Sequence, residues 1–201
     1  NYFDLAIVDP PYGLERMSRK GNDKHNRITL LKSELFNNHK PTAEYFNELF
    51  RVSKNQIVWG ANNFVLPPTE YFLIWNKKQT VDNFASAEYA WVSMGLKMPA
   101  KVFDYSIHKH NHTDKIHPTQ KPVALYEWIL NKYAKPNDKI LDTHLGSGSI
   151  AIACNNLGFE LTACELDKDY FDATIKRLNN KFGKEFSFDD AAPNQTNIFG
   201  A

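Results

Sequence analysis

Between Lys139 and Glu165 the chain reads KILD, THLGSGS, IAIACNNL and GFELTACE, an order of strand, turn, helix and strand that leaves few folds open. Lys139 to Leu141 opens a strand, Ile150 to Leu157 has the spacing of a helix, and Phe159 to Glu165 reads as the next strand. Gly146 and Gly148 lie in the turn between them, where a missing Cβ permits positive φ and lets a ligand approach the backbone. Glu165 follows the turn by about twenty residues, the position from which a carboxylate accepts hydrogen bonds from ribose hydroxyls. Such a unit is half of a nucleoside-binding sheet. The alternative is purely structural, with the glycines serving helix packing and Glu165 a charge at a helix N-terminus. The turn lacks the Gly-Lys-Ser/Thr of a phosphate loop and starts with an acid, Asp142, which would repel a pyrophosphate but suits a sulfonium or an amino group.

The rest of the chain repeats the alternation. Phe3 to Val8 reads as a central parallel strand, and Thr42 to Val52 as a helix entered at Pro41. Gln56 to Trp59 and Tyr71 to Trp75 are short buried strands, and Ala87 to Ser93, partly alternating, belongs nearer an edge. Lys97 to Gln120 is polar and broken by prolines. Pro122 to Tyr133 and Tyr170 to Asn179 have helical spacing. Strands alternating with helices predict an open, mostly parallel α/β sheet, and 201 residues without a convincing linker predict one domain over 1–201, with a tail over 189–201.

No apolar run is long enough to span a bilayer, so no membrane partner is expected. The chain starts with Asn1 in what is already a strand, so the numbering is expected to begin inside a longer product; no signal peptide is visible. Cys154 and Cys164 both sit in apolar segments and are expected to be buried, reduced thiols of a cytoplasmic protein. A net charge of +1 announces no polyanionic partner, yet residues 13–40 carry Arg16, Arg19, Lys20, Lys24, Arg27, Lys32 and Lys40 against three acids. That local excess of four charges fits a phosphate-facing loop, with a solvated loop as the alternative. His108, His110 and His112 alternate and would share one face of a strand, which raises a zinc site; with no cysteine pair nearby and lysines interleaved, a polar loop touching nucleic acid is the preferred reading and no metal is expected.

The first strand ends in DPPYG, residues 9–13. Two successive prolines fix the exit of the strand, and the carboxyl end of such a strand is where open α/β sheets bind ligands. Asp9 supplies a carboxylate acceptor, the Pro10 carbonyl a second, and Tyr12 a flat face for a planar ring. Two acceptors facing one point would hold an NH2 group. On an aromatic base that nitrogen is a poor nucleophile, and engaging both N–H bonds localises its lone pair toward an electrophile in the neighbouring crevice.

Three segments together, DPPYG at Asp9, HPTQKPVALYEWIL from His117 and ILDTHLGSGSIAIACNNLGFELTACELD from Ile140, resemble the DNA amino-methyltransferases that act on adenine N6 or cytosine N4 with S-adenosylmethionine (AdoMet). Their order is that of the circularly permuted β group. The resemblance implies the Rossmann-like AdoMet methyltransferase fold, a mostly parallel seven-stranded sheet flanked by helices. It makes Asp9, Pro10, Pro11 and Tyr12 the catalytic set. It assigns Asp9, His117, Thr119, Lys121, Asp142, Thr143, His144, Gly146, Ser147, Gly148, Ser149, Glu165 and Leu166 to the cofactor, and Arg16, Arg19, Lys20, Lys24 and Arg27 to DNA. Lys121 in isolation is a lysine at a helix N-terminus, unfavourable to the dipole and so held there for another reason. The family usually has Pro-Phe where this chain has Thr143 and His144, and His144 is expected to fill the place of the aromatic. Residues 94–116, where many relatives read their target, are short here. An acid heading the motif favours adenine, cytosine N4 enzymes usually starting with serine. Methylation of an RNA or of a protein amide, or a regulator without turnover, are the rival functions. The implied protein is bacterial or phage-encoded and its oligomeric state is left open, a homodimer included.

Overall fold

The computed structural model describes residues 1–13, 39–82, 85–111, 116–117 and 119–183. The basic positions Arg16 to Arg27, the rest of residues 14–38, and the tail over 189–201 lie outside the described residues. Seven strands form one sheet: β1 (Phe3–Val8), β2 (Ser53–Trp59), β3 (Phe72–Asn76), β4 (Ala87–Val92), β5 (Lys101–Asp104), β6 (Lys139–Asp142) and β7 (Glu160–Ala163), in the order β5-β3-β4-β2-β1-β6-β7. All neighbours are parallel except at β4, which runs against both β2 and β3. The helices are α1 (Ala43–Val52), α2 (Ile107–Asn111), α3 (Val123–Tyr133), α4 (Ser149–Leu157) and α5 (Lys168–Phe182).

The two-residue period of β1 divides the core. Leu5 and Ile7 join Ile57, Trp59, Leu73 and Trp75 under α3 and α4, whereas Ala6 and Val8 join Val58, Trp91 and Leu141 under α1. With both faces covered, the central strands are apolar throughout, which is why β1 was recognisable as a run rather than an alternation. Leu125, Ile129 and Leu130 of α3 are fully buried, and Tyr45, Phe46 and Leu49 supply the apolar face of α1. None of the described helices is long and apolar enough to cross a membrane.

Three expectations need correction. Ala87–Val92 is an interior strand, not an edge: its exposed residues are confined to its first half, at the end of the sheet where the crevice opens. The edge on that side is β5, four residues inside the polar stretch after Lys97, too short and too mixed to stand out from the loops beside it. Cys154 is buried as expected, but Cys164 is exposed because it lies just past the end of β7, itself an edge strand. His108 and His110 fall on α2 rather than on a strand. His110 is buried, with its Nε2 2.5 Å from the Gln120 carbonyl and its ring edge-on to Trp75. Among the described residues no group of three His, Cys, Asp or Glu side chains could hold a metal ion.

Ile129, fully buried between helix and sheet, and Val65, 95% exposed, give a contrast in burial at similar chemistry. Ile129→Ala is expected to cost about 2–5 kcal/mol and Val65→Ala less than about 0.5 kcal/mol, read by urea denaturation.

Candidate active site

Six strands pointing the same way deliver their carboxyl ends to one edge of the sheet, and the reversed β4 delivers its amino end there too. Asp9 leaves β1 and Asp142 ends β6, and these are adjacent parallel strands paired through Ala6 and Leu141. The two acids singled out in the sequence therefore stand side by side at the mouth of one crevice, although 133 positions separate them in the chain.

In the half that the sequence expects to hold an amine, Tyr12 donates its hydroxyl to Asp9 Oδ1 at 2.7 Å, and Lys121 donates to Asp9 Oδ2. The Tyr12 ring packs against Gly60, the residue that follows β2, and meets Phe64 edge-on. Gly60 has φ +65°, and a Cβ there would occupy the Tyr12 ring. Burial, chiefly, pushes the Tyr12 phenol far above its ordinary range, so it serves as a neutral donor. Lys121 is almost completely buried just before α3, and Glu88 of β4 lies 3.0 Å from its Nζ. Burial alone would discharge this ammonium, but Asp9 and Glu88 together outweigh it and hold Lys121 well above the usual lysine range. The lysine at the start of a helix is thus explained by two carboxylates that offset both burial and the helix dipole. Its Nζ belongs to the amine half of the crevice, against Asp9.

The half that the sequence expects to hold the cofactor is built on the glycine turn. Gly146 and Gly148 both have positive φ, 52° and 69°, and Gly148 begins α4. Glu165 closes the turn from outside: its Oε2 accepts from the Gly146 amide at 2.7 Å and its Oε1 from the Asp167 amide at 3.0 Å. From below, α5 ties down the carbonyls, with Thr174 Oγ1 donating to Gly146 at 2.6 Å and Arg177 to Ser147 at 2.6 Å. A Cβ on Gly148 would meet Thr174, so that glycine also serves packing, whereas one on Gly146 would make ordinary contacts with the His117 ring and the His144 carbonyl at 3.8 Å. His117 rests on Tyr170, takes Thr119 on its Nδ1, and is pushed down to about 4, mainly by burial and then by Lys121. Thr143 Oγ1 is 2.6 Å from the Tyr45 hydroxyl and 2.9 Å from His144 Nδ1. His144 packs edge-on to Tyr45 and is pushed down to about 4 by burial, an apolar neighbour in effect. Ser147 and Ser149 bond to each other, buried, and Leu166 projects with 81% of its surface exposed beside Glu165.

Asp142 is 2% exposed and accepts from the His144 amide at 3.0 Å. Burial, followed by the nearby charges of Asp9 and Glu165, raises its carboxyl to about 7. An interior acid so placed, with no cation of its own among the described residues, is stabilised by a cationic ligand.

Sequence reasoning brought Asp9, Tyr12, Lys121, Asp142, Gly146 and Glu165 to one crevice and missed Glu88, Gly60, Trp59, Tyr170, Thr174 and Arg177. The arginine and the threonine carry helical periodicity only, without a sign of the carbonyls they bind. Glu88 had one signal, a charge at the head of an otherwise apolar strand.

The DNA methylase family of N6 and N4 amino-methyltransferases matches residues 31–176 of the chain. This chain is 33% identical to the type II methyltransferase M.HpaI of Haemophilus parainfluenzae over 93 residues, 46% of this chain and 30% of that protein. It is 28% identical to M.BglII of Bacillus subtilis over 147 residues, 71% of this chain and 41% of that one. The chain thus spans less than half the length of either. Among solved structures, the M1.HpyAVI complex with AdoMet superposes with a TM-score of 0.55 at 22% identity, over 87% of this chain and 88% of that one. The cytosine-N4-specific PvuII DNA methyltransferase gives 0.53 at 12% identity, over 94% and 81%. The crevice belongs to an AdoMet-dependent methyltransferase fold. The chain is a member of the DNA amino-methyltransferase family, whose cofactor is AdoMet.

The glycine turn, the buried carboxyl of Asp142 and the carboxylate of Glu165 fit that cofactor, a cationic nucleoside. Because Asp142 must lose its proton to meet a cation, AdoMet affinity is expected to rise with pH to about 7 and then level off, with proton release on binding. Calorimetry in buffers of different ionisation enthalpy measures both, and Asp142→Asn should abolish the dependence. Gly60→Ala is expected to cost at least about 1–2 kcal/mol from its backbone alone, with a further loss from displacing Tyr12. Tyr12→Ala in the same background should recover that second part in thermal melts.

Proposed function

We propose that this chain transfers a methyl group from AdoMet to the exocyclic N6 of adenine in DNA, on a base extruded from the duplex. The observation that carries the reading is the pairing of β1 with β6, which sets the Asp9 carboxylate beside the acid and glycine turn of the cofactor half. When bound, AdoMet supplies an electrophilic methyl carbon and departs as a neutral thioether.

The chain's own residues prepare the nitrogen. Asp9 Oδ1 is the acceptor that an incoming N–H can claim, because its present donor is the Tyr12 hydroxyl, a neutral group, while Oδ2 is held by the Lys121 ammonium. As the amine takes Oδ1, the Tyr12 ring is released from Gly60 to lie against the base. The Pro10 carbonyl receives the second N–H. With both N–H bonds engaged the nitrogen becomes more tetrahedral and its lone pair turns toward the cofactor half. Asp9 then eases departure of the proton to solvent once nitrogen has become cationic.

Extruding the base costs roughly a few kcal/mol of stacking and pairing, offset by stacking on Tyr12 and by the amine contacts. Gly13 and Lys40 lie side by side, a Cβ on Gly13 coming within 3.0 Å of Lys40 Cβ. The basic segment between them therefore leaves and rejoins the domain at the mouth of the crevice, which supports a role for Arg16, Arg19, Lys20, Lys24 and Arg27 on phosphates. Asp9 at the head of the motif supports adenine.

Incubation of the chain with labelled AdoMet and unmethylated DNA, followed by digestion to nucleosides and mass analysis, is expected to yield N6-methyladenine. N4-methylcytosine would reassign the base, and label in RNA or protein would reassign the substrate. Asp9→Ala should lower turnover by about 10²–10³-fold, as loss of a preorganised contact to the reacting group does; undiminished turnover would refute the role given to Asp9.

A further inference from the structure

Four charges alternate in a line that ends at the amine site. Lys77, just beyond β3, places its Nζ 2.7 Å from Glu88 Oε1; Glu88 Oε2 lies 3.0 Å from Lys121 Nζ; and Lys121 contacts Asp9. The Lys121 side chain is 2% exposed and its Nζ also stands 5.4 Å above the Trp59 ring. Glu88 reaches this line because β4 is reversed, its register pairing Glu88 with Trp75 near the end of β3. Lys121 stands between Glu88 and Asp9.

We propose that Glu88 is a positioning residue for methyl transfer, holding the Lys121 ammonium on Asp9 Oδ2 so that Oδ1 stays available to the target amine. The proposal rests on the reading of Asp9 as the group that binds that amine.

The reason is the geometry of a shared cation. An ammonium has three N–H donors and no preferred plane. With one carboxylate partner in a low-dielectric interior, it moves toward the point equidistant from both oxygens and competes for each. A second carboxylate on its far side draws it outward and restricts it to the nearer oxygen. Two ammonium groups on Glu88 overcome the cost of its burial and hold its carboxyl down to about 2, so the anchor stays charged at any working pH. Lys77 keeps Glu88 from swinging toward Lys121 by occupying its other oxygen. Across the line two positive and two negative groups offset one another, so the protein holds no net buried charge there.

The test is steady-state methylation of DNA by the full chain and its variants Glu88→Gln, Glu88→Asp, Lys121→Met and the double variant Glu88→Gln with Lys121→Met. AdoMet affinity and melting temperature are measured on each. Glu88→Gln is expected to lower kcat about ten- to a hundredfold with both KM values within about twofold of the unsubstituted chain, as misplacement of a reacting group does. Glu88→Asp should restore part of kcat. In the Lys121→Met background, adding Glu88→Gln should cost nothing further, because Glu88 acts through the lysine. Unchanged kcat in Glu88→Gln, full additivity in the double variant, or a loss that follows melting temperature alone would overturn the proposal. If the unsubstituted chain transfers no methyl group to DNA, the reading of Asp9 fails and the role of Glu88 with it; if it is active and Glu88→Gln equals it, only the role of Glu88 fails.

Discussion

A single buried ammonium joins the parts of this site. Lys121 sits at the entry to α3, yet its partners are the end of β1 and the start of β4, so one side chain fastens a helix to two strands at the edge where ligands arrive. Breaking a buried pair by removing one partner costs about 3–5 kcal/mol, since the other charge is left unpaired. The arrangement is therefore a constraint before it is a stabilising contact: α3 cannot shift along the sheet, and Asp9 cannot turn, without exposing a charge to an apolar interior.

The cofactor half is fixed by different means. There the shape of the glycine turn's backbone is held from two sides, by Glu165 on an amide and by Thr174 and Arg177 on carbonyls. Helix α5 has a polar composition and few fully buried residues, but three of its side chains, Tyr170, Thr174 and Arg177, lie one turn apart along the face that meets the turn. Amphipathic helices usually dock through apolar stripes; this one docks its central turns partly through hydrogen bonds to a loop.

How much of this could be read from the chain depends on whether the signal is local. The strand, glycine turn, helix and acid around Gly146 are contiguous, and proline rigidity after Val8 is local too, so both halves of the crevice were legible before any coordinates. Their meeting was legible only through the resemblance, because it depends on β1 and β6 pairing across most of the chain. Glu88 and β5 were not legible. A charged residue at the head of a strand is ordinary, and only the reversal of β4, which no local pattern encodes, carries Glu88 to the ligand edge. Lys121 lies between these cases: its conflict with the helix dipole marked it as held by something, but the holders were 33 positions away in β4 and 112 away just past β1.

The pairing of β1 with β6 has a consequence for how such a protein can change. Neighbouring strands stand about 4.8 Å apart whatever their sequences, because the spacing is set by backbone hydrogen bonds. The offset between Asp9 and Asp142 is accordingly a property of the sheet rather than of the segments hung from its ends. Those segments can be lengthened, shortened or exchanged while the ruler between the two acids stays the same.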